Sequence, residues 1–277
     1  MKQQSPSVDH FAISLQDAFN PADFRWFFQG QAIHPAKATD ERLVRTVDID
    51  NGNQSKALLM IHGYSSTPAV FRHLYPYLTN YDRIIIPRLP GHGRSIASFA
   101  NSNASEWIAS AEAYALDLLS QYKQVDIMGL SLGGLIATML SQRLPFNHAY
   151  LLAPALNLTV NITYSLAFSK LMDFIGFHQY RAAAGSLHQK QHLELAYRRL
   201  PMNTVKEILN LINHYEHHPL QCPADLLLGV HDKVVQSDDV AQRFHQDNKT
   251  TIHWLENSGH VLPLDGDLAY IIDLVNS

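Results

Sequence analysis

The sharpest chemical signal in the chain is a serine among glycines, Gly129-Leu130-Ser131-Leu132-Gly133, with Gly134 directly after. An apolar run, Val125 to Leu130, leads into it, and a helix-like stretch from Leu135 follows. A serine on a tight strand-to-helix turn takes a strained backbone conformation, and small neighbours let the adjoining backbone approach without a clash. Such a turn lifts the hydroxyl above the sheet edge, and the helix N-terminus directs N–H groups toward developing negative charge. The plainer reading is a Gly-rich turn in which Ser131 only caps a helix. A serine hydroxyl is a weak nucleophile at neutral pH and needs a base. Of sixteen histidines, His260 fits best, in the loop Asn257-Ser258-Gly259-His260-Val261-Leu262-Pro263 that follows the last strand-like run. His253 falls within that run and reads as a packing histidine. An imidazole base needs a carboxylate to fix its tautomer. Asp232, just past Leu226 to Val230, is favoured. Asp238 and Asp239 are rivals, but they open the next helix, where capping explains them.

Other chemistries have weaker support. No His-Glu-x-x-His, Walker loop or dinucleotide glycine fingerprint is present. His214, His217 and His218 lie at helical spacing beside Glu216 and read as a solvated helix end rather than a metal site. No metal or organic cofactor is implied.

The elements that must position Ser131, Asp232 and His260 alternate along the chain. Strand-like runs cover Ala57–Ile61, Arg83–Pro87, Val125–Leu130, Ala149–Ala153, Asp225–Val230 and Thr250–Leu255. Short Ile-, Leu- and Val-rich runs suit strands buried on both faces of a parallel sheet. Helices are expected over Pro68–Leu78, Ser105–Tyr122 (capped by Ser105), Leu135–Arg143, Asp238–Gln246 and Asp265–Val275. The alternation predicts an α/β fold with a mostly parallel sheet. Loops at the carboxyl edge of such a sheet carry its sites, and all three residues follow strand-like runs.

Residues 157–219 break the rhythm. No convincing strand is visible there; helices are expected over Tyr164–Phe174, Leu187–Arg199 and Asn203–His217. The stretch reads as a helical cap inserted between core segments 41–156 and 220–277. Phe168, Leu171, Met172, Phe174, Ile175 and Phe177 form an apolar stripe, either the cap's own packing or a wall for an acyl chain. Residues 1–40 read as an arm whose aromatic residues, Phe11, Phe19, Phe24, Trp26, Phe27 and Phe28, pack on the core or the cap.

Composition narrows the classes. Hydrophobic residues make up 46% and charged residues 17%, enough apolar material for a sizeable core and too much for a disordered chain. The formal charge of −4 disfavours nucleic acid or an anionic membrane surface as the default partner. No window approaches the ~18 apolar residues that span a bilayer, and the polar stretch Met1 to His10 does not resemble a signal peptide. The single cysteine, Cys222, cannot form an internal disulfide, and a cytoplasmic location is expected. Oligomeric state is left open.

The order Ser131, Asp232, His260 is that of an α/β-hydrolase triad, and the chain resembles that family on its carboxylesterase and monoacylglycerol-lipase-like branch. The matching pieces are Leu59-Met60-Ile61-His62-Gly63-Tyr64, Pro90-Gly91-His92-Gly93-Arg94-Ser95, Gly129 to Gly134, Gly229-Val230-His231-Asp232-Lys233-Val234 and Ser258-Gly259-His260. They span about residue 57 to the end, apart from the proposed cap. The resemblance implies an α/β-hydrolase fold and an oxyanion hole formed by the backbone N–H groups of Tyr64 and Leu132. It makes the His92 loop mainly architectural. It also implies cleavage of small-molecule carboxylic esters through an acyl-enzyme, as by a carboxylesterase or monoacylglycerol-type lipase. A serine here argues against the relatives that use aspartate, the haloalkane dehalogenases and epoxide hydrolases. A thioesterase, amidase or acyltransferase would use the same triad, and a binding protein on the same fold is the remaining alternative.

Overall fold

A computed structural model describes residues 18–277; Phe11 and the Met1–His10 stretch lie outside the described residues. The strands, in chain order, are β1 (Phe24–Phe28), β2 (Gln31–Pro35), β3 (Val47–Asp50), β4 (Lys56–Ile61), β5 (Arg83–Ile86), β6 (Gln124–Leu130), β7 (His148–Leu152), β8 (Gln179–Arg181), β9 (Glu194–Tyr197), β10 (Arg199–Pro201), β11 (Ala224–Gly229) and β12 (Thr250–Leu255). The helices are α1 (Glu41–Val44), α2 (Ile96–Ala100), α3 (Ala104–Gln121), α4 (Leu132–Ser141), α5 (Ile162–Phe174), α6 (Met202–Asn213), α7 (Ser237–Phe244) and α8 (Leu268–Asn276).

Seven strands form the central sheet in the order β12-β11-β7-β6-β4-β5-β3. All neighbours are parallel except β3, which runs antiparallel to β5. The six strands expected from the apolar runs are β4, β5, β6, β7, β11 and β12, with ends within a residue or so of the expected ones. Their buried faces build two cores. One packs Trp107, Leu118, Leu135 and Phe244 against Leu59, Ile127 and Leu226. The other packs Phe71, Ile271 and Val275 against Leu58, Met60 and Leu227. Strands covered on both faces must be apolar throughout, which is why the runs do not alternate. The two edge strands escape that pattern: of β12 only Leu255 is buried, and β3, Val47-Asp48-Ile49-Asp50, is largely exposed and tied to β5 through the Asp48–Arg83 ion pair at 3.0 Å.

Several expectations are corrected. Pro68–Leu78 is not an α-helix but two 3-10 turns, Pro68–Phe71 and Tyr75–Tyr77. Pro76 lacks the N–H that an α-helix would need there. The cap of α3 is Asn103, whose side chain accepts from the Glu106 N–H at 3.0 Å, while Ser105 donates to Asn103 at 2.6 Å. The largest difference lies in residues 157–219. α5 and α6 match two expected helices, but Leu187–Arg199 is not helical; it carries β9, and β8 and β10 pair beside it. Glu194-Leu195-Ala196-Tyr197 is fully buried and pairs antiparallel with β1, so long-range pairing overrides the helical propensity of Leu, Glu and Ala. The aromatic residues of the arm lie in this small sheet: Phe24 packs on Tyr197 with ring centroids 4.2 Å apart and belongs to the main core. Residues 24–28 of the expected arm thus contact both segment 157–219 and the core.

The Gly129–Gly134 turn is closely packed against backbone. A Cβ on Gly129 would run into the backbone of Gly133, and one on Gly133 into the carbonyl of Ile61 at the end of β4. Gly133→Ala is therefore expected to lose about 2–3 kcal/mol in urea unfolding, because the obstacle is backbone. Gly52→Ala, in open space at φ +85°, should lose about 1 kcal/mol from backbone strain alone. Equal losses would show that Gly133 is not a packing constraint.

Candidate active site

Ser131 stands between β6 and α4 at φ 55°, ψ −113°, a conformation that L-residues rarely adopt. Both of its peptide groups are held. Its N–H donates to Leu152 O at 3.0 Å, and its carbonyl accepts from Leu135 N at 2.9 Å and Ala155 N at 3.0 Å. Strain at a single residue survives only where its surroundings over-determine it, and here two strands and a helix do so. Leu132 opens α4, where the first N–H groups have no acceptor inside the helix.

Gly63, after β4, faces the same point: a Cβ on it would lie 3.4 Å from Ser131 Cβ. The turn Gly63-Tyr64 is set by His62, which is fully buried. Leu89 N donates to His62 Nε2 at 3.2 Å, so the proton sits on Nδ1, which donates to Gly63 O at 2.9 Å. Burial lowers the His62 pKa to about 4 and keeps the ring neutral, with both nitrogens engaged. The Tyr64 hydroxyl reaches Thr204 Oγ1 of α6 at 2.8 Å; since Thr204 donates to Pro201 O, Tyr64 is the donor.

Asp232 and His260 meet at the same sheet edge, with His260 Nδ1 2.8 Å from Asp232 Oδ2. The other carboxylate oxygen accepts from Val234 N at 2.7 Å and Val235 N at 3.0 Å, so the carboxylate cannot rotate away. Burial works against the Asp232 anion, but the charge and hydrogen bond of His260 and the two N–H donors outweigh it, and its pKa lies below the usual carboxylate range. Burial likewise opposes an imidazolium at His260, yet the Asp232 carboxylate, its hydrogen bond and the Glu194 carboxylate hold the pKa above the ordinary histidine value. Ser131 and His260 line one cavity of about 260 Å³, walled on its apolar side by Leu158, Leu200, Val205, Ile208 and Leu209.

The rivals lie elsewhere. Asp238 and Asp239 sit in the first turn of α7, and Asp239 accepts from Asn157 Nδ2 at 2.7 Å. His92 is buried against His62, Phe99 and Trp107. His253 bonds to Asp225 and Tyr270 at 2.8 and 2.7 Å. His214 bonds back to Asn210 O within its own helix end, and among the described residues no group of three His, Cys, Asp or Glu side chains converges as metal ligands would. The stripe on α5 is neither packing core nor acyl wall: Phe168, Leu171, Phe174, Ile175 and Phe177 are exposed, Phe174 by 88%. The apolar wall of the cavity comes instead from Leu158, Leu200 of β10 and α6.

Glu194 escaped the sequence reading. It is buried, lines the cavity beside His260, and accepts from Gly185 N at 2.6 Å. Burial raises its pKa. The only signal for it was one acidic residue inside a stretch that reads as an amphipathic helix; on a buried strand the same carboxylate points inward.

The family described as the alpha/beta hydrolase family matches residues 58–271. A thermostable monoacylglycerol lipase of Bacillus sp. (strain H-257) is 26% identical over 234 residues, covering 80% of this chain and 89% of that protein. A carboxylesterase of Bacillus subtilis (strain 168) is 24% identical over 218 residues, 76% of this chain and 86% of that one. Among solved structures, one from a study of LipS and LipT, two metagenome-derived lipolytic enzymes, superposes with a TM-score of 0.74 at 23% identity, covering 83% of this chain and 95% of that chain.

The His260–Asp232 pair makes a direct prediction. The His260 imidazole should titrate above 6.5 in the wild type. In Asp232→Asn the midpoint should fall below the ordinary value, since burial is then opposed only by the more distant Glu194. Histidine NMR, assigned with His260→Gln, checks both values; an unchanged midpoint in Asp232→Asn would refute the coupling.

Proposed function

The chain belongs to the alpha/beta hydrolase family, and from that premise we propose that it is a serine esterase cleaving carboxylic esters by way of an acyl-enzyme. The observation that carries the reading is the strained Ser131 sharing a cavity with an imidazole whose far nitrogen is bound to a buried carboxylate.

Each step has a residue. Asp232 holds the His260 proton on Nδ1, leaving Nε2 free to accept. Ser131 Oγ attacks the ester carbonyl as His260 takes its proton. The carbonyl oxygen becomes an oxyanion, received by the N–H groups of Leu132 and Tyr64. His260 returns the proton to the departing alcohol, leaving the acyl group on Ser131. Water then attacks with the same proton traffic, releasing the carboxylic acid and restoring Ser131. Leu132 is suited to its role because helix-opening N–H groups lack internal acceptors.

The insertion, residues 157–219, acts as a cap: α6 and Leu200 of β10 supply the apolar wall over the reacting atoms. An aliphatic cavity of about 260 Å³ suits esters of short to medium acyl chains, monoacylglycerols included. The named lipase and carboxylesterase relatives support that class, and the lone cysteine agrees with a cytoplasmic setting.

Ser131→Ala should fold normally and lose hydrolysis of p-nitrophenyl esters by at least about 10⁴-fold. A fluorophosphonate should add one adduct to the wild type and none to the variant by intact mass. A folded wild type that takes no label and cleaves no ester in a panel of chain lengths would overturn the proposal.

A further inference from the structure

His260 is held by more than its loop. Its backbone N–H donates to Ser186 O at 2.8 Å, and the Val261 N–H donates to the same oxygen at 3.2 Å. Ser186 belongs to residues 157–219, in the loop between β8 and β9, where the Leu187 N–H donates to Gly185 O at 2.8 Å across it. The contact leaves no room for a side chain: a Cβ on Gly259 would lie 2.7 Å from Ser186 O.

A reciprocal set of bonds runs the other way through one side chain. Asp265 follows the 3-10 turn Leu262–Leu264 and is 2% exposed. Its Oδ2 accepts from Gly259 N at 2.8 Å and His188 N at 2.6 Å; its Oδ1 accepts from Gln189 N at 2.8 Å and Gly266 N at 3.0 Å. One carboxylate thus gathers four backbone donors: the peptide immediately before His260, two residues of the insertion, and its own successor. Only an acceptor-only group can do so, because an amide would present N–H hydrogens to two of those donors. No step of the ester reaction uses Asp265, and packing does not call for a carboxylate at this depth.

We propose that Asp265 is a positioning residue that joins segment 186–189 of the insertion to the peptide bearing His260, so that the docked insertion sets where the imidazole sits. The significance of that placement rests on the reading of His260 as the base. The Asp232 bond fixes the ring's orientation from one end, and the Ser186–Asp265 clasp fixes its backbone from the other. Misplacing a catalytic group by about 1 Å costs on the order of 10²-fold in rate.

The test is Asp265→Asn in the full chain, with two readouts. The first is kcat against KM for a short p-nitrophenyl ester: kcat should fall on the order of 10²-fold while KM moves by less than about threefold. The second is the His260 NMR titration, in which the groups facing the imidazole are Asp232 and Glu194. A ring that has drifted from Asp232 should titrate about one unit lower than in the wild type. Gly259→Ala, which pushes Ser186 away and leaves Asp265 intact, should lower the midpoint in the same direction and decides the matter if Asp265→Asn does not fold. Folded Asp265→Asn with a wild-type midpoint overturns the proposal, whatever its kcat, because a general loss of stability would not explain a rate effect through His260. If the wild type shows no Ser131-dependent ester cleavage, the reading of His260 as base fails, while the titration still tells whether Asp265 positions it.

Discussion

The backbone of Ser131 is the constraint around which the rest is arranged. Its φ of 55° is unfavourable for a residue with a Cβ, and it is tolerated because Gly129 and Gly133 let β6, α4 and the end of β4 close on one another. That approach brings the Gly63-Tyr64 turn beside the serine and presents the first peptide of α4 to the same space. The buried, neutral His62 then holds the turn by its carbonyl and reaches across to Leu89. A side chain at Gly129 would meet the backbone of α4, and one at Gly133 the end of β4, so the turn is a packing solution as much as a chemical one.

Much of this is legible in the residues. The five inner strands, β4, β5, β6, β7 and β11, are buried on both faces and announce themselves as short apolar runs, and the candidate residues could be placed because each follows a strand-like run. What the chain did not disclose depends on long-range pairing. Leu187–Arg199 carries helix-forming residues, and only the presence of β1 alongside explains why Glu194 to Tyr197 is extended. Glu194 was hidden for the same reason, since which way a side chain points follows from whether the segment is strand or helix. Pro76 was the missed local signal at Pro68–Leu78. On α5 the apolar stripe has helical spacing but faces outward, and periodicity alone cannot tell which face the fold will cover.

The candidate site is a composite. Ser131 and the Gly63-Tyr64 turn belong to the middle of the sheet, Asp232 and His260 to the strands near one edge, and the apolar cavity wall to residues 157–219. Contacts from residues 157–219 to the candidate site include the Tyr64–Thr204 hydrogen bond, the mutual clasp between segment 186–189 and the His260 loop, and the Glu194 carboxylate beside His260.

The pairing of β1 with β9 joins residues separated by more than half the chain. Forming it closes a very large loop, an entropic cost that must be met before the contact is rewarded. During synthesis the β1–β2 hairpin emerges long before its partner strand β9 exists, and β12 with the His260 loop emerges later still. The hairpin must therefore wait with the apolar faces of Phe24 and Phe27 uncovered while the central strands assemble. Folding of this chain is expected to be slow, with the small sheet and the cavity it helps to frame completed among its final events.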